Sequence, residues 1–167
     1  MEDSLTIIFT FVIAVLLMFI FPLMDTWERQ DDMSYMLAYS KVVDFVDSVR
    51  NTGYFTENML GQLESDLSAT GNIFEVQLEH RRLIYAPEEY SGEIGYLYSF
   101  NEQIYEELEN NPEHRYLLDK GDYFYVSVKN TNKTQSTLVK EFLYSSMMNS
   151  FKIGVPYGGM VRNSVNL

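Results

Sequence analysis

The chain has 167 residues, enough for one modest domain and an additional segment. Hydrophobic residues make up 46% of it and charged residues 22%, a balance that argues against intrinsic disorder. Twenty-four acidic residues against 12 basic ones give a formal charge of -12, which argues against binding to nucleic-acid phosphates or docking on an anionic membrane through a basic patch. The absence of cysteine excludes a disulfide framework, a thiolate zinc site and a cysteine nucleophile.

Residues 5–24 contain no charged side chain and give the first clear structural prediction. A helix of about 20 residues is about 30 Å long, which matches the hydrocarbon core of a bilayer. An acidic start and bulky residues around Pro22 do not fit a cleaved secretory signal. Trp27 follows where an aromatic anchor at the membrane–water interface is expected. The segment therefore predicts a retained transmembrane helix or the core helix of an assembly, while the sparse flanking charges leave its orientation open.

Residues 25–50 continue with an amphipathic pattern that neither Gly nor Pro interrupts. Apolar side chains at steps of three and four predict the face that packs on a domain: Met36, Tyr39, Val42, Val43, Val46 and Val49. Gly53 supplies a stop, because glycine readily adopts the left-handed conformation past a helix end. We therefore predict one helix from near the N-terminus to about Arg50, with an apolar half and a domain-packed half. Residues 1–4 would be a short polar N-terminus.

Residues 51–167 are predicted to form a small α+β globular domain. Thr56 would cap a short helix whose inner face carries Leu60, Leu63 and Leu67. Residues 74–79 alternate as a half-buried strand. His80-Arg81-Arg82 reads as a polar turn or strand end, followed by a returning strand at 83–85 and a loop from Ala86 to Gly95.

The second half of this domain continues the same mixture of short helices and strands. A capping box at 99–102 predicts a helix to about Asn110, with Phe100, Ile104 and Leu108 facing the core. Residues 123–129 form the strongest strand pattern, and a third short helix carries Leu138, Val139, Phe142 and Leu143. A last strand at 151–155 and a turn at 156–159 complete the prediction. The fold class is α+β: a long N-terminal helix packed on a small antiparallel sheet with extra short helices.

No recognisable catalytic arrangement accompanies these elements. His80 and His114 are the two possible neutral-pH bases, and neither lies near a nucleophile motif. The glutamates at 102, 106, 107, 109 and 113 lack the spacing of a calcium loop and predict a solvated helix face. Asp119 and Asp122 flank Gly121 in a tight turn. We expect a protein that is not an enzyme and has no metal, cofactor or small-molecule substrate.

A tyrosine-rich stretch is a candidate contact surface in the domain. It comprises Tyr85, Tyr90, Tyr96 and Tyr98. Exposed tyrosines suit protein interfaces, because the ring is apolar and the hydroxyl can hydrogen-bond. The alternative is that these rings pack on the sheet.

A membrane-length apolar half, an amphipathic continuation and a small α+β domain resemble type IV pilin-like proteins, in particular the pseudopilin-type subunits of tight-adherence pilus systems. The segments 52–56, Gly71 with its following strand, and 121–124 also look like motifs of small pilus-associated proteins from Gram-positive bacteria. The resemblance implies a single-pass membrane subunit with an extracytoplasmic domain, at the cell surface once assembled into a filament. Its partners would be membrane lipid and copies of itself or of related pilin-like subunits.

The sequence differs from that family in two features. Members of the family have a basic leader, and their fifth mature residue is a glutamate. This sequence starts Met-Glu-Asp-Ser-Leu. If this is the mature start, Glu2 or Asp3 would take the role of that acid; otherwise both would lie in water at the membrane face. Within the apolar helix, residues at helical spacing form the expected packing face: Phe9, Ile13, Leu16 and Ile20. The alternative function is a single-pass accessory or binding protein of a secretion or conjugation machine that does not polymerise.

Overall fold

The computed structural model describes residues 2–85, 94–144 and 153–165, and its fold is α+β as predicted. A long helix packs on an antiparallel sheet with short helices around it. The elements in chain order are α1 (Glu2–Thr52), β1 (Tyr54–Thr56), α2 (Glu57–Ser68), β2 (Phe74–Tyr85), β3 (Ile94–Phe100), α3 (Asn101–Asn110), β4 (Arg115–Leu117), β5 (Tyr123–Asn130), α4 (Gln135–Tyr144) and β6 (Gly154–Met160).

Helix α1 is continuous from Glu2 to Thr52 and passes through Pro22 without ending. The predicted stop is confirmed. Gly53 has φ +78° and its N–H donates to the Val49 carbonyl at 2.8 Å, which is the usual closure of a helix by a left-handed glycine. Helix α2 is also as predicted, because the Thr56 hydroxyl accepts from the Met59 N–H at 3.3 Å. Its three predicted leucines are buried.

The domain-facing side of α1 differs in part from the predicted face. The buried apolar residues are Ala38, Val42, Phe45, Val46 and Val49. Met36 is 69% exposed and Tyr39 is also exposed, so their assignment to the packed face was wrong. The packed side continues instead through Ser34 and Asp31, which are polar yet buried. A hydrophobicity pattern cannot detect such a stretch, because it assigns polar residues to solvent.

The main sheet has the strand order β3-β2-β5-β6, with every neighbouring pair antiparallel, and β1 pairs with β4 in a separate two-stranded ladder. Along β5 the side chains alternate, so that Phe124, Val126 and Val128 are buried while Tyr123, Tyr125 and Ser127 lie on the outer face. The inner face packs against α1. Aromatic rings fill the centre of the core: Phe45, Phe55, Tyr116 and Phe124, with centroids 5.3–6.2 Å apart between neighbours.

Strand β2 runs through the segment predicted as a turn. His80, Arg81 and Arg82 lie in mid-strand, and residues 83–85 extend the same strand rather than returning. The returning strand is β3, which begins at Ile94 inside the predicted loop; residues 86–93 are outside the described part. The turn prediction failed because the polar run continues the inward–outward alternation of β2, with His80 on the inner face.

Helix α3 begins two residues later than its predicted capping box. Ser99 lies in β3, and the Phe100 N–H donates to the Gln103 side-chain oxygen at 2.9 Å. Ile104 and Leu108 are buried as predicted, but Phe100 is 52% exposed on the outer sheet face. Asn101 explains the shift, because its side chain bonds the backbone of β2 at Val76 and Leu78 and so fixes the start of the helix against the sheet.

Strand β6 includes the residues predicted as a turn, 156–159. It is the edge of the sheet, where Pro156 is tolerated because a missing N–H costs no ladder bond on the open side. Gly158 lies against the Tyr125 ring and Gly159 against the Arg50 guanidinium. These glycines permit close approach rather than a chain reversal. Of the predicted strand 151–155, residues 151 and 152 lie outside the described part, and Ile153 precedes β6.

Gly158→Ala is expected to destabilise the domain by about 1–3 kcal/mol through overpacking. An added Cβ would lie 2.3 Å from Tyr125 Cδ1 and 2.6 Å from the Phe124 carbonyl oxygen. Gly61→Ala is the matched control, since nothing lies within 4 Å of its Cβ position in α2 and alanine favours the helix by about 0.5–1 kcal/mol. Urea unfolding of the full chain in detergent micelles measures both. Equal stability of the two variants would contradict the close contact at Gly158.

Candidate functional site

The first half of α1 projects from the domain with its apolar side chains exposed. The helix is long and apolar enough to cross a membrane by length and composition, and none of the 18 residues of its candidate spanning window is buried. The core helix of a soluble protein would bury one side of such a segment. Soluble monomers rarely expose contiguous apolar patches of more than a few hundred Å². This segment is therefore the most unusual surface in the described structure.

The predicted packing residues lie along one side of this segment. Phe9, Ile13 and Leu16 are exposed and Ile20 is partly covered. Spacings of four, three and four residues continue that side through Met24 and Trp27 to Asp31. The stripe is thus in line with the side of α1 on which the domain packs. Glu2 and Asp3 form the first residues of α1, and their side chains lie outside the described part.

Helix α4 packs against α1 where the helix leaves the apolar segment. The Asp31 carboxylate is buried and accepts hydrogen bonds from Thr134 Oγ1 at 2.9 Å and from the Ser136 hydroxyl. Lys140 forms an ion pair with Glu28. A buried carboxylate needs such donors to offset its lost hydration. Polar contacts therefore hold the domain to α1 at this level, and no apolar pattern in the sequence indicates them.

The outer face of the sheet carries the described part of the tyrosine stretch. Tyr96 and Tyr98 lie on β3 with about half of each residue exposed. The Arg81 guanidinium lies over the Tyr125 ring at 4.4 Å and the Tyr98 ring at 5.4 Å, and pairs with Glu79 at 2.6 Å.

One tyrosine of the stretch, Tyr96, both contacts the sheet and is exposed to solvent. Tyr96 packs edge-on against Tyr123 with centroids 6.1 Å apart, so the rings touch the sheet and still face solvent. Tyr85 ends β2, and its side chain is outside the described part, as is all of Tyr90. A groove of about 560 Å³ adjoins this face, lined by Gln77, Phe100, Tyr125, Ser127 and Pro156 among others.

His80 is fully buried on the inner sheet face and bridges two distant elements. Its Nδ1 lies 2.7 Å from the Tyr116 hydroxyl and its Nε2 lies 2.9 Å from Asp122 Oδ2. Burial lowers the pKa of His80 in spite of the neighbouring carboxylate, and it raises the pKa of Tyr116 to about 12. The neutral imidazole therefore donates Nε2–H to Asp122 and accepts from Tyr116 O–H.

Asp122 completes this buried network. Its Oδ1 accepts the Leu83 N–H at 2.9 Å and its Oδ2 accepts the Asp119 N–H at 3.0 Å. The predicted turn at 119–122 is confirmed, with Gly121 at φ +101°. Sequence reasoning missed the burial of His80 and Asp122, although the alternation of Val76, Leu78 and His80 was the available signal. With His80 enclosed, the cluster is structural rather than an open reaction site.

The buried His80 is expected to make the domain less stable as the pH falls below about 6.5. Its pKa is lowered in the folded state, so the unfolded chain takes up a proton that the folded chain resists. Stability is full above the unfolded pKa and falls by up to about 1.4 kcal/mol per pH unit below it. The His80 ring signals in NMR should titrate below the ordinary histidine pKa of about 6.5, with His114→Asn to assign the two rings. Titration of His80 near its ordinary pKa would contradict its burial.

The described residues contain no group of three or more His, Asp or Glu side chains placed to hold a metal ion. The acidic residues of α3 are exposed, as expected for a solvated face. Comparison of the chain with protein-family models, with curated proteins and with solved structures gives no match. The exposed apolar helix and the surfaces beside it are therefore the features of this chain that bear on its function.

Proposed function

We propose that this protein is a non-enzymatic, membrane-anchored subunit of pilin-like type, which assembles with copies of itself or related subunits through its N-terminal apolar helix. The observation that carries the proposal is the division of α1: one unbroken helix is exposed and apolar in its first half and buried against the sheet in its second half.

This division matters because one continuous helix joins the apolar segment directly to the domain. The apolar half is compatible with lipid and equally with the side of an identical helix, since both surroundings are hydrocarbon. Transfer from the bilayer to a filament core therefore costs little in hydrophobic free energy. Phe9, Ile13, Leu16 and Ile20 are the proposed packing residues, and Trp27 is the proposed interface anchor. The domain would stand outside the cytoplasm.

The alternative is a single-pass accessory protein that does not polymerise, and the outer sheet face is the observation in its favour. The half-exposed rings of Tyr96 and Tyr98, with Arg81 over the Tyr98 ring, form a surface typical of protein interfaces. In this alternative the helix is only an anchor, and the tyrosine face binds another component of the machine.

Gentle shearing of cells that produce the protein, followed by quantification in the released filaments and in the membranes, tests the proposal. A structural subunit should be abundant in the sheared filaments. Protein confined to the membrane fraction would contradict a major filament subunit and favour the accessory role. Protein found only in the soluble fraction would contradict both, because it would show that the apolar half of α1 is covered in some other way.

A further inference from the structure

Helix α4 has its polar side turned inward and its apolar side turned outward. Ser136 and Thr137 are buried, and the side chains of Lys140 and Glu141 are largely covered and ion-paired to Glu28 and Lys133. On the opposite side Leu138 is exposed and Phe142 is 83% exposed. A helix packed on a water-soluble domain normally has the reverse arrangement. The outer side of α4 is therefore suited to an apolar surrounding.

The contacts of α4 show that it runs along α1 toward the apolar segment. Ser136 meets Asp31, and Lys140 meets Glu28. A step of four residues toward the C-terminus of α4 therefore matches a step of three residues toward the N-terminus of α1, so the two helices run antiparallel. Continued at the same step, residues 142–144 come level with residues 25–27. Helix α4 therefore descends beside α1 to the end of the membrane-length segment.

The distance of the last turn of α4 from the end of the apolar segment, measured along the axis of α1, falls within the thickness of the headgroup layer of a bilayer. Glu28 lies four residues beyond Met24, about 6 Å along the helix axis. The headgroup region on each side of the hydrocarbon core is about 5–8 Å thick. A cavity of about 160 Å³ lined by Trp27, Asp31 and Thr134 places the interfacial tryptophan beside the start of α4. The last turn of α4 thus lies at the depth where amphipathic helices bind.

We propose that α4 is a second membrane contact of the domain, whose last turn enters the headgroup layer and directs Phe142 into the lipid. This rests on the proposed membrane anchoring by α1 and extends it. The transmembrane helix alone would leave the domain free to tilt and rotate. Insertion of α4 fixes one side of the domain to the bilayer surface, and the ion pair of Lys140 with Glu28 keeps the two lipid-contacting helices together.

The natural absence of cysteine allows single labels to report depth in the full chain. Leu16→Cys, Phe142→Cys and Glu106→Cys are each labelled with a fluorophore in phosphatidylcholine vesicles, with nitroxide lipids as quenchers. Glu106 is the distal control, because it is exposed on α3, which contacts β4 beyond the far end of α1. A label at position 142 should not disturb the fold, because 83% of Phe142 is exposed.

We expect deep nitroxides to quench most of the fluorescence at Leu16→Cys, shallow nitroxides to quench most of it at Phe142→Cys, and neither to affect Glu106→Cys. Quenching at Leu16→Cys without quenching at Phe142→Cys would overturn the role of α4 and leave the anchor intact. A Phe142→Cys probe shielded from both lipid nitroxides and aqueous iodide would overturn it in favour of contact with a second copy. An unquenched Leu16→Cys probe would contradict the anchor and with it the proposal for α4.

Discussion

Asp122→Ala is expected to cost about 3–5 kcal/mol of domain stability, because it breaks a buried hydrogen-bond network; this is a large part of the roughly 5–15 kcal/mol that holds a typical domain folded. The substitution removes the acceptor of three hydrogen bonds, from the Leu83 N–H, the Asp119 N–H and His80 Nε2. Because His80 is fully buried, its donor cannot turn to water instead. The midpoint of urea unfolding of the full chain in micelles, followed by tyrosine near-UV circular dichroism, measures the loss.

Asp119→Ala is the matched control, since Asp119 occupies the same turn and is exposed. Its change should stay within about 0.5 kcal/mol, as is usual for surface substitutions. A loss at Asp119 as large as that at Asp122 would show that the turn tolerates no alanine, and would contradict a specific role of the buried carboxylate. A negligible loss at Asp122 would contradict the network itself.

Ile13→Asp is expected to abolish assembly of the protein while leaving it in the membrane fraction. A carboxylate at the centre of a membrane helix costs about 2.5–3.5 kcal/mol, which the other apolar residues of the segment can outweigh in lipid. In a packed assembly the same carboxylate would face a neighbouring apolar helix without a partner, and it would do so once in every subunit. Shearing followed by immunoblotting of filament and membrane fractions measures both effects.

Met36→Asp is the control on the same helix, because Met36 is equally apolar, exposed and outside the membrane-length segment. We expect it to leave membrane insertion unchanged. Normal assembly of the Ile13→Asp variant would overturn the packing role of this stripe. A parallel loss of Ile13→Asp from the filaments and from the membranes would show only a weakened anchor, which is the behaviour of the non-polymerising alternative.

The sequence alone was sufficient for the architecture of α1 and for the fold class. Both depend on local features: an uninterrupted apolar run, an unbroken helical segment, and a glycine where the helix must close. The cap at Thr56, the leucines of α2 and the alternation of β5 are likewise local patterns, and the structure confirms each of them. Such features are predictable because hydrogen bonding and periodicity within one segment determine them.

Three of the differences between prediction and structure concern residues that pack against distant parts of the chain. His80 was predicted in a turn, Gly158 was predicted to reverse the chain, and the burial of Asp31 was not predicted. Each of them is instead explained by a residue more than 30 positions away: Asp122 for His80, Thr134 for Asp31 and Tyr125 for Gly158. Burial of these groups depends on partners that only the folded chain brings together.

Some features of the candidate site also follow from the sequence, whereas others depend on the tertiary structure. Length and apolar composition determined the membrane-length segment, because hydrophobic transfer depends on the side chains themselves. The position of α4 beside that segment, and the outward direction of Leu138 and Phe142, were decided by tertiary contacts with Glu28 and Asp31. Helical periodicity marks which residues share a side of a helix, whereas only packing against a neighbour determines which side is turned away from the domain.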